Sequence, residues 1–141
     1  MKSRKLSALL ATAGASACVL SGLLVTSAPA QAASTCKPYK SGSWGIKVCV
    51  TKSGSKATGS ATVTHLPNSG TPCVVRLSVQ GNGGSHFKTK LVGKSECRKG
   101  GVYKIQTKYD SAAGGYTATA FLGDANDHNQ SKAGGSSYPL S

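Results

Sequence analysis

Trp44, Ile46, Val48 and Val50 alternate with Gly45, Lys47, Cys49 and Thr51. That is the two-residue period of a strand with one buried face. The same alternation recurs five more times. In Lys56 to Leu66, Ala57, Ala61 and Val63 share a face against Thr58, Ser60, Thr62 and Thr64. Cys73 to Gln80 carries Val75, Leu77 and Val79 in phase, and His86 to Val92 sets Phe87 and Leu91 against Lys88 and Lys90. Val102 to Tyr109 sets Tyr103, Ile105 and Tyr109 against Lys104 and Lys108, and Tyr116 to Leu122 keeps Tyr116, Ala118, Ala120 and Leu122 together.

Turn chemistry separates these runs. Lys52-Ser53-Gly54-Ser55, Pro67 to Pro72, the Asn82-Gly83 step and Gly114-Gly115 are breaks of the kind that join antiparallel strands. Helical periodicity is confined to the N-terminal segment. Six short strands so spaced predict a small all-β antiparallel sandwich, immunoglobulin-like or Greek-key. Tyr138-Pro139-Leu140 is a candidate seventh strand at an edge, where proline is tolerated. The polar, glycine-rich stretch from Asp124 to Ser137 predicts a long flexible loop.

Residues 1–32 have the layout of a secretory signal. Lys2, Arg4 and Lys5 precede an uncharged run from Leu6 to Val25, and Ala28-Pro29-Ala30-Gln31-Ala32 supplies the small-residue cleavage spacing. A membrane anchor is the rival reading, but the Gly, Ser, Thr and Ala content and the cleavage signal favour removal. Cys18 leaves with this segment. One secreted, extracellular domain then spans residues 33–141, with no membrane span of its own. Of 17 basic residues three lie in the signal, so 14 remain against four acids, a net charge of +10. Val, Ile, Leu and Phe together number 17 in that stretch of 109. Such a composition borders on the disordered class. Regular alternation and four remaining cysteines argue for a folded domain.

Those cysteines are Cys36, Cys49, Cys73 and Cys97. In an exported chain an even count implies disulfides, here two. Local pairing, Cys36 with Cys49 and Cys73 with Cys97, closes the shorter loops and is preferred. No C-x-x-C pair or Cys/His cluster supports zinc, and no metal or cofactor is expected.

Asp110, Gly114, Gly115, Tyr116 and Ala118 resemble the D-x-G-x-Y-x-C segment around the tyrosine corner of immunoglobulin-like sandwiches, with Ala118 in place of the cysteine. The Ala-rich signal, Trp44-Gly45-x-x-Val48-Cys49 and Gly115-Tyr116-x-Ala118-Thr119-Ala120 resemble small secreted actinobacterial proteins, most of which have no assigned function.

Charge is the strongest chemical feature. Lys88, Lys90, Lys94, Arg98, Lys99, Lys104 and Lys108 fall within 21 positions, opposed there only by Glu96. If the two strands flanking this loop are neighbours, their lysines form one solvent-facing positive patch. Such a patch attracts anionic cell-wall or extracellular polymers. Lysines on exposed strand faces and edges also serve simply to keep sheets soluble. In residues 33–141 twelve lysines stand to two arginines, and no aromatic interleaves the lysines on that face, which disfavours sequence-specific nucleic-acid recognition.

Other chemistry is sparse, and the expected role is not enzymatic. His65 and His86 could serve a nuclease only if both reached one phosphate. Asp124 and Asp127 are the one acidic pair close enough in sequence for glycoside cleavage, and Asp124 to His128 is a faint, incomplete calcium loop. Asn129-Gln130-Ser131 matches a glycosylation sequon. A monomeric binding protein is the leading expectation. The alternatives are a protease inhibitor, with Cys73-Val74-Val75-Arg76-Leu77 as its rigid loop, and a structural extracellular protein.

Overall fold

A computed structural model describes residues 32–127 and 130–141. The signal-like residues 1–31, together with His128 and Asn129 of the faint calcium loop and the sequon, lie outside the described residues. Among the described residues, eight strands form two four-stranded antiparallel sheets. They are β1 (Ala33–Ser41), β2 (Trp44–Ser53), β3 (Lys56–His65), β4 (Cys73–Gly81), β5 (Lys88–Val92), β6 (Val102–Lys108), β7 (Tyr116–Asp124) and β8 (Ser131–Ser136). One sheet runs β1-β2-β3-β6 and the other β5-β4-β7-β8. Among the described residues there is no α-helix, and only two short 3-10 turns, Asn82–Gly84 and Ser111–Ala113.

The core follows the alternation. Ile46, Val48, Val50, Ala57, Ala61 and Val63 project from the first sheet and are fully buried. Val75, Leu77, Val79, Tyr116, Ala118, Ala120 and Leu122 meet them from the second. Small residues bring the sheets close. A Cβ on Gly59 would stand 3.0 Å from that of Val79 and 3.2 Å from that of Ala118. Gly42 and Gly54 open the β1–β2 and β2–β3 turns at φ of +55° and +56°, which most L-residues avoid. The largest fully buried side chain is Tyr116. Trp44, at the start of β2, is only half-buried against the cluster.

Both disulfides pair locally, as the loop-length argument favoured. Cys36–Cys49 joins directly opposed positions of β1 and β2, and Cys73–Cys97 ties the start of β4 to the β5–β6 connection.

Three expectations need correction. Trp44 is not on the first strand, because β1 precedes it. β1 carries Pro38 and little alternation, and forms because it lies antiparallel along the whole of β2. The stretch 124–137 is not a continuous loop, since β8 occupies its second half. β8 follows β7 in register, with Gly134 opposite Phe121 and Gly135 opposite Ala120. Finally, Tyr138-Pro139-Leu140 is no strand: Leu140 makes a single bridge to Tyr116.

A candidate basic edge

β5 ends one sheet and β6 ends the other, so their lysines do not lie side by side on one face. The two strands are facing edges of the sandwich. In β6 the alternation runs as expected: Tyr103, Ile105 and Thr107 pair with Ala61, Gly59 and Ala57 on the core side. Lys104 and Lys108 therefore sit on the outer phase, opposite Ser60 and Lys56. β5 is the reverse. Lys88 and Lys90 pair in register with fully buried Val79 and Leu77, so they occupy the core-facing phase of an edge that overhangs solvent. Leu91 takes the outer phase and is 66% exposed, and Phe87, just before the strand, is 53% exposed. The expected single solvent face of lysines is thus corrected to a basic rim wrapped around an edge.

That rim has two ends. At one end Lys56, Lys88 and Lys108 line a cleft of about 370 Å³ with Ser55, Gln106 and Thr107. At the other, Lys94, Arg98 and Lys99 are exposed on the connection that holds Cys97, and the Lys94 ammonium donates to Asn126 Oδ1 at 3.2 Å. Lys104 and Lys90 lie between. Sequence reasoning missed Lys56, because only the pairing of β3 with β6 sets it opposite Lys108. Like charges directly opposed across strands repel.

The nearest acid to the cleft is Asp110, and its carboxylate is engaged. Oδ1 accepts from the Ala112 amide at 2.9 Å, and Oδ2 lies 3.5 Å from Nε2 of His86. The Ala112 hydrogen bond holds this carboxyl below its ordinary value; desolvation opposes that, and His86 and Lys108 add to the lowering. His86 has a left-handed backbone, φ 52°, and its ring stacks over that of Tyr116 at 6.5 Å.

The remaining candidates separate. His65 is the last residue of β3, whereas His86 meets Asp110 beside the strand's first residue, Lys56. Ten extended residues put them about 30 Å apart, so no phosphate could touch both. Asp127 pairs with Lys132 at 2.6 Å and Asp124 accepts from the Asn126 amide at 2.8 Å, an arrangement that builds a turn. Among the described residues no three His, Cys, Asp or Glu side chains converge as a metal site. The segment Cys73 to Leu77 is not an exposed loop but part of β4, bonded on both sides by β5 and β7. Its Arg76 shares a row with Leu91 and Phe121 on the outer face, where these residues and Val74 border a hollow of about 260 Å³. On that face the alternation placed Val74 and Phe121 outside correctly and pointed only Leu91 the wrong way. No described helix is long and apolar enough to cross a membrane. The chain matches no known family, no curated protein and no solved structure.

Proposed function

We propose that the protein is a secreted, non-enzymatic binding protein whose β5–β6 edge holds anionic cell-wall or extracellular polymers. The observation that carries this reading is the convergence of Lys56, Lys88 and Lys108 on one cleft whose neighbouring carboxylate, Asp110, is shared with His86 and the Ala112 amide. Three cations gathered beside a single carboxylate leave an excess positive potential that draws in polyanions. The other lysines continue the field along β6, whose seven residues extend about 20 Å, a length suited to a repeating polymer. Export is supported by the two disulfides, which persist in oxidising compartments. An immunoglobulin-like architecture is supported by β2-β3-β6 facing β5-β4-β7-β8 and by the Tyr116 hydroxyl bonded to the preceding corner. The wide separation of His65 and His86 favours binding over nuclease chemistry.

The test compares two variants of equal charge change. K88Q/K108Q should weaken binding to immobilised teichoic acid or polyphosphate by about tenfold at 0.1 M salt. K40Q/K47Q, on β1 and β2 away from the edge, should lose far less. Equal losses would mean that net charge alone attracts the polymer, and salt-insensitive binding would remove the reading.

A further inference from the structure

β5 departs from the usual order of an amphipathic strand: Lys88 and Lys90 precede buried Val92 on the core phase, while Leu91 is exposed on the outer phase beside Thr89. It also bonds β4 on one side only, and no backbone hydrogen bond among the described residues reaches its other side. On the far side of the sandwich, by contrast, the edges are tied together: Thr35 Oγ1 donates to the Tyr138 carbonyl at 2.6 Å and the Tyr39 hydroxyl donates to the Ser136 carbonyl. We infer that the free edge of β5 takes an extended segment of a partner protein in which acidic and apolar residues alternate, adding it as a fifth strand to the sheet.

The chemistry of the partner follows from the two rows that such a strand would extend. Its core-phase residues would lie beside Lys88 and Lys90, in the field that Lys108 of β6 and Lys56 of β3, lining the same cleft as Lys88, reinforce. Its outer-phase residues would lie beside Leu91 and Phe87, which are left open to water. Cross-strand pairs of opposite charge and of apolar side chains stabilise a ladder, whereas like charges oppose it. Inward-pointing lysines are also the usual guard against indiscriminate strand addition. Here they exclude neutral and basic strands and admit an acidic one, so one feature both repels and selects. Main-chain bonds would supply affinity and the alternation specificity. A second copy of this chain cannot be the partner. Its only acids are Glu96, Asp110, Asp124 and Asp127, and no two of them are two residues apart.

This inference does not depend on polymer binding, and its test separates the two. Three synthetic peptides are titrated into the domain at 0.15 M salt: Glu alternating with Val or Leu, an isomer of the same composition with its glutamates contiguous, and the alternating peptide with Lys for Glu. The alternating glutamate peptide should bind at least about tenfold more tightly than its isomer and slow amide exchange within Lys88–Val92. N-methylating the peptide's amides should abolish that binding with every charge intact, a control that needs no protein variant. K88E/K90E should transfer the preference to the lysine peptide. Equal binding of the two glutamate isomers would leave only general attraction to the basic rim and overturn the inference. So would unprotected β5 amides, or indifference to N-methylation.

Discussion

The hydroxyl of Tyr116 sits where the chain leaves β6 for the other sheet, accepting from the Asp110 amide at 2.8 Å and donating to the Lys108 carbonyl at 3.1 Å. Tyr116→Phe keeps the buried ring and removes both bonds, so it should cost about 1–2 kcal/mol, a fall in Tm of roughly 5–10 °C. An unchanged Tm would show that the corner is held by packing alone. Asp110, on the same connection, makes a pH prediction. A carboxyl whose folded pKa lies below its ordinary 3.8 adds stability above that pH and loses it as pH falls through the lower folded value. Urea melts of wild type and Asp110→Asn should therefore differ most near neutrality and converge in acid. The effect is small because the group is exposed, and divergence on acidification would reverse the assigned sign. Tyr116 was legible in the sequence, since the Asp110 to Ala118 segment marks it. Lys56 was not: it stands 52 positions from Lys108, and only strand pairing unites them.

Whole elements were legible where alternation and local burial coincide. β2, β3, β4 and β7 bury every second residue, and the sequence shows it. β8 hides because its glycines answer to distant neighbours. A Cβ at Gly135 would collide with the Tyr39 ring, and one at Gly134 with Phe121 at 2.7 Å and 2.8 Å. Those glycines are contact surfaces, yet in sequence they are indistinguishable from a linker. β5 misleads for the opposite reason, since its alternation is clear but, at an edge, its first four residues are all exposed and only Val92 is buried. The disulfides were legible from loop closure, and each should contribute roughly 3 kcal/mol by restricting the unfolded chain. Their surroundings distinguish them. Cys73 is fully buried and Cys97 nearly so, whereas Cys36 and Cys49 are half-exposed on the outside of β1 and β2. C73A/C97A should consequently lower Tm more than C36S/C49S, because it also removes core contacts. An excess no larger than the longer Cys73–Cys97 loop accounts for would mean that chain restriction is the whole effect.

At the scale of the molecule the charge is unbalanced as well as large, +13 over the full sequence with the densest part on one edge. Lys56 and Lys108 oppose each other directly, and Lys88 faces the same cleft. Folding brings these three together, so their repulsion is a cost that the native state bears and the unfolded chain largely escapes. Exposed charges interact over ~30 Å at 0.01 M salt and only ~10 Å at 0.1 M. Raising sodium chloride across that range should therefore raise the Tm of the wild-type domain. K56Q/K88Q/K108Q should start higher, by about 1 kcal/mol at the low end, and its advantage should shrink as salt screens the lysines. The same variant should have lost its affinity for polyanions, so stability and binding would move in opposite directions. That opposition is what separates lysines kept for a ligand from lysines kept for solubility, which would not need to face one another. A variant that binds less but is no more stable at low salt would show that the cleft stores no repulsion. A wild-type domain that melts earlier as salt rises would show that attractive contacts such as the Lys132–Asp127 ion pair outweigh the crowding of its cations.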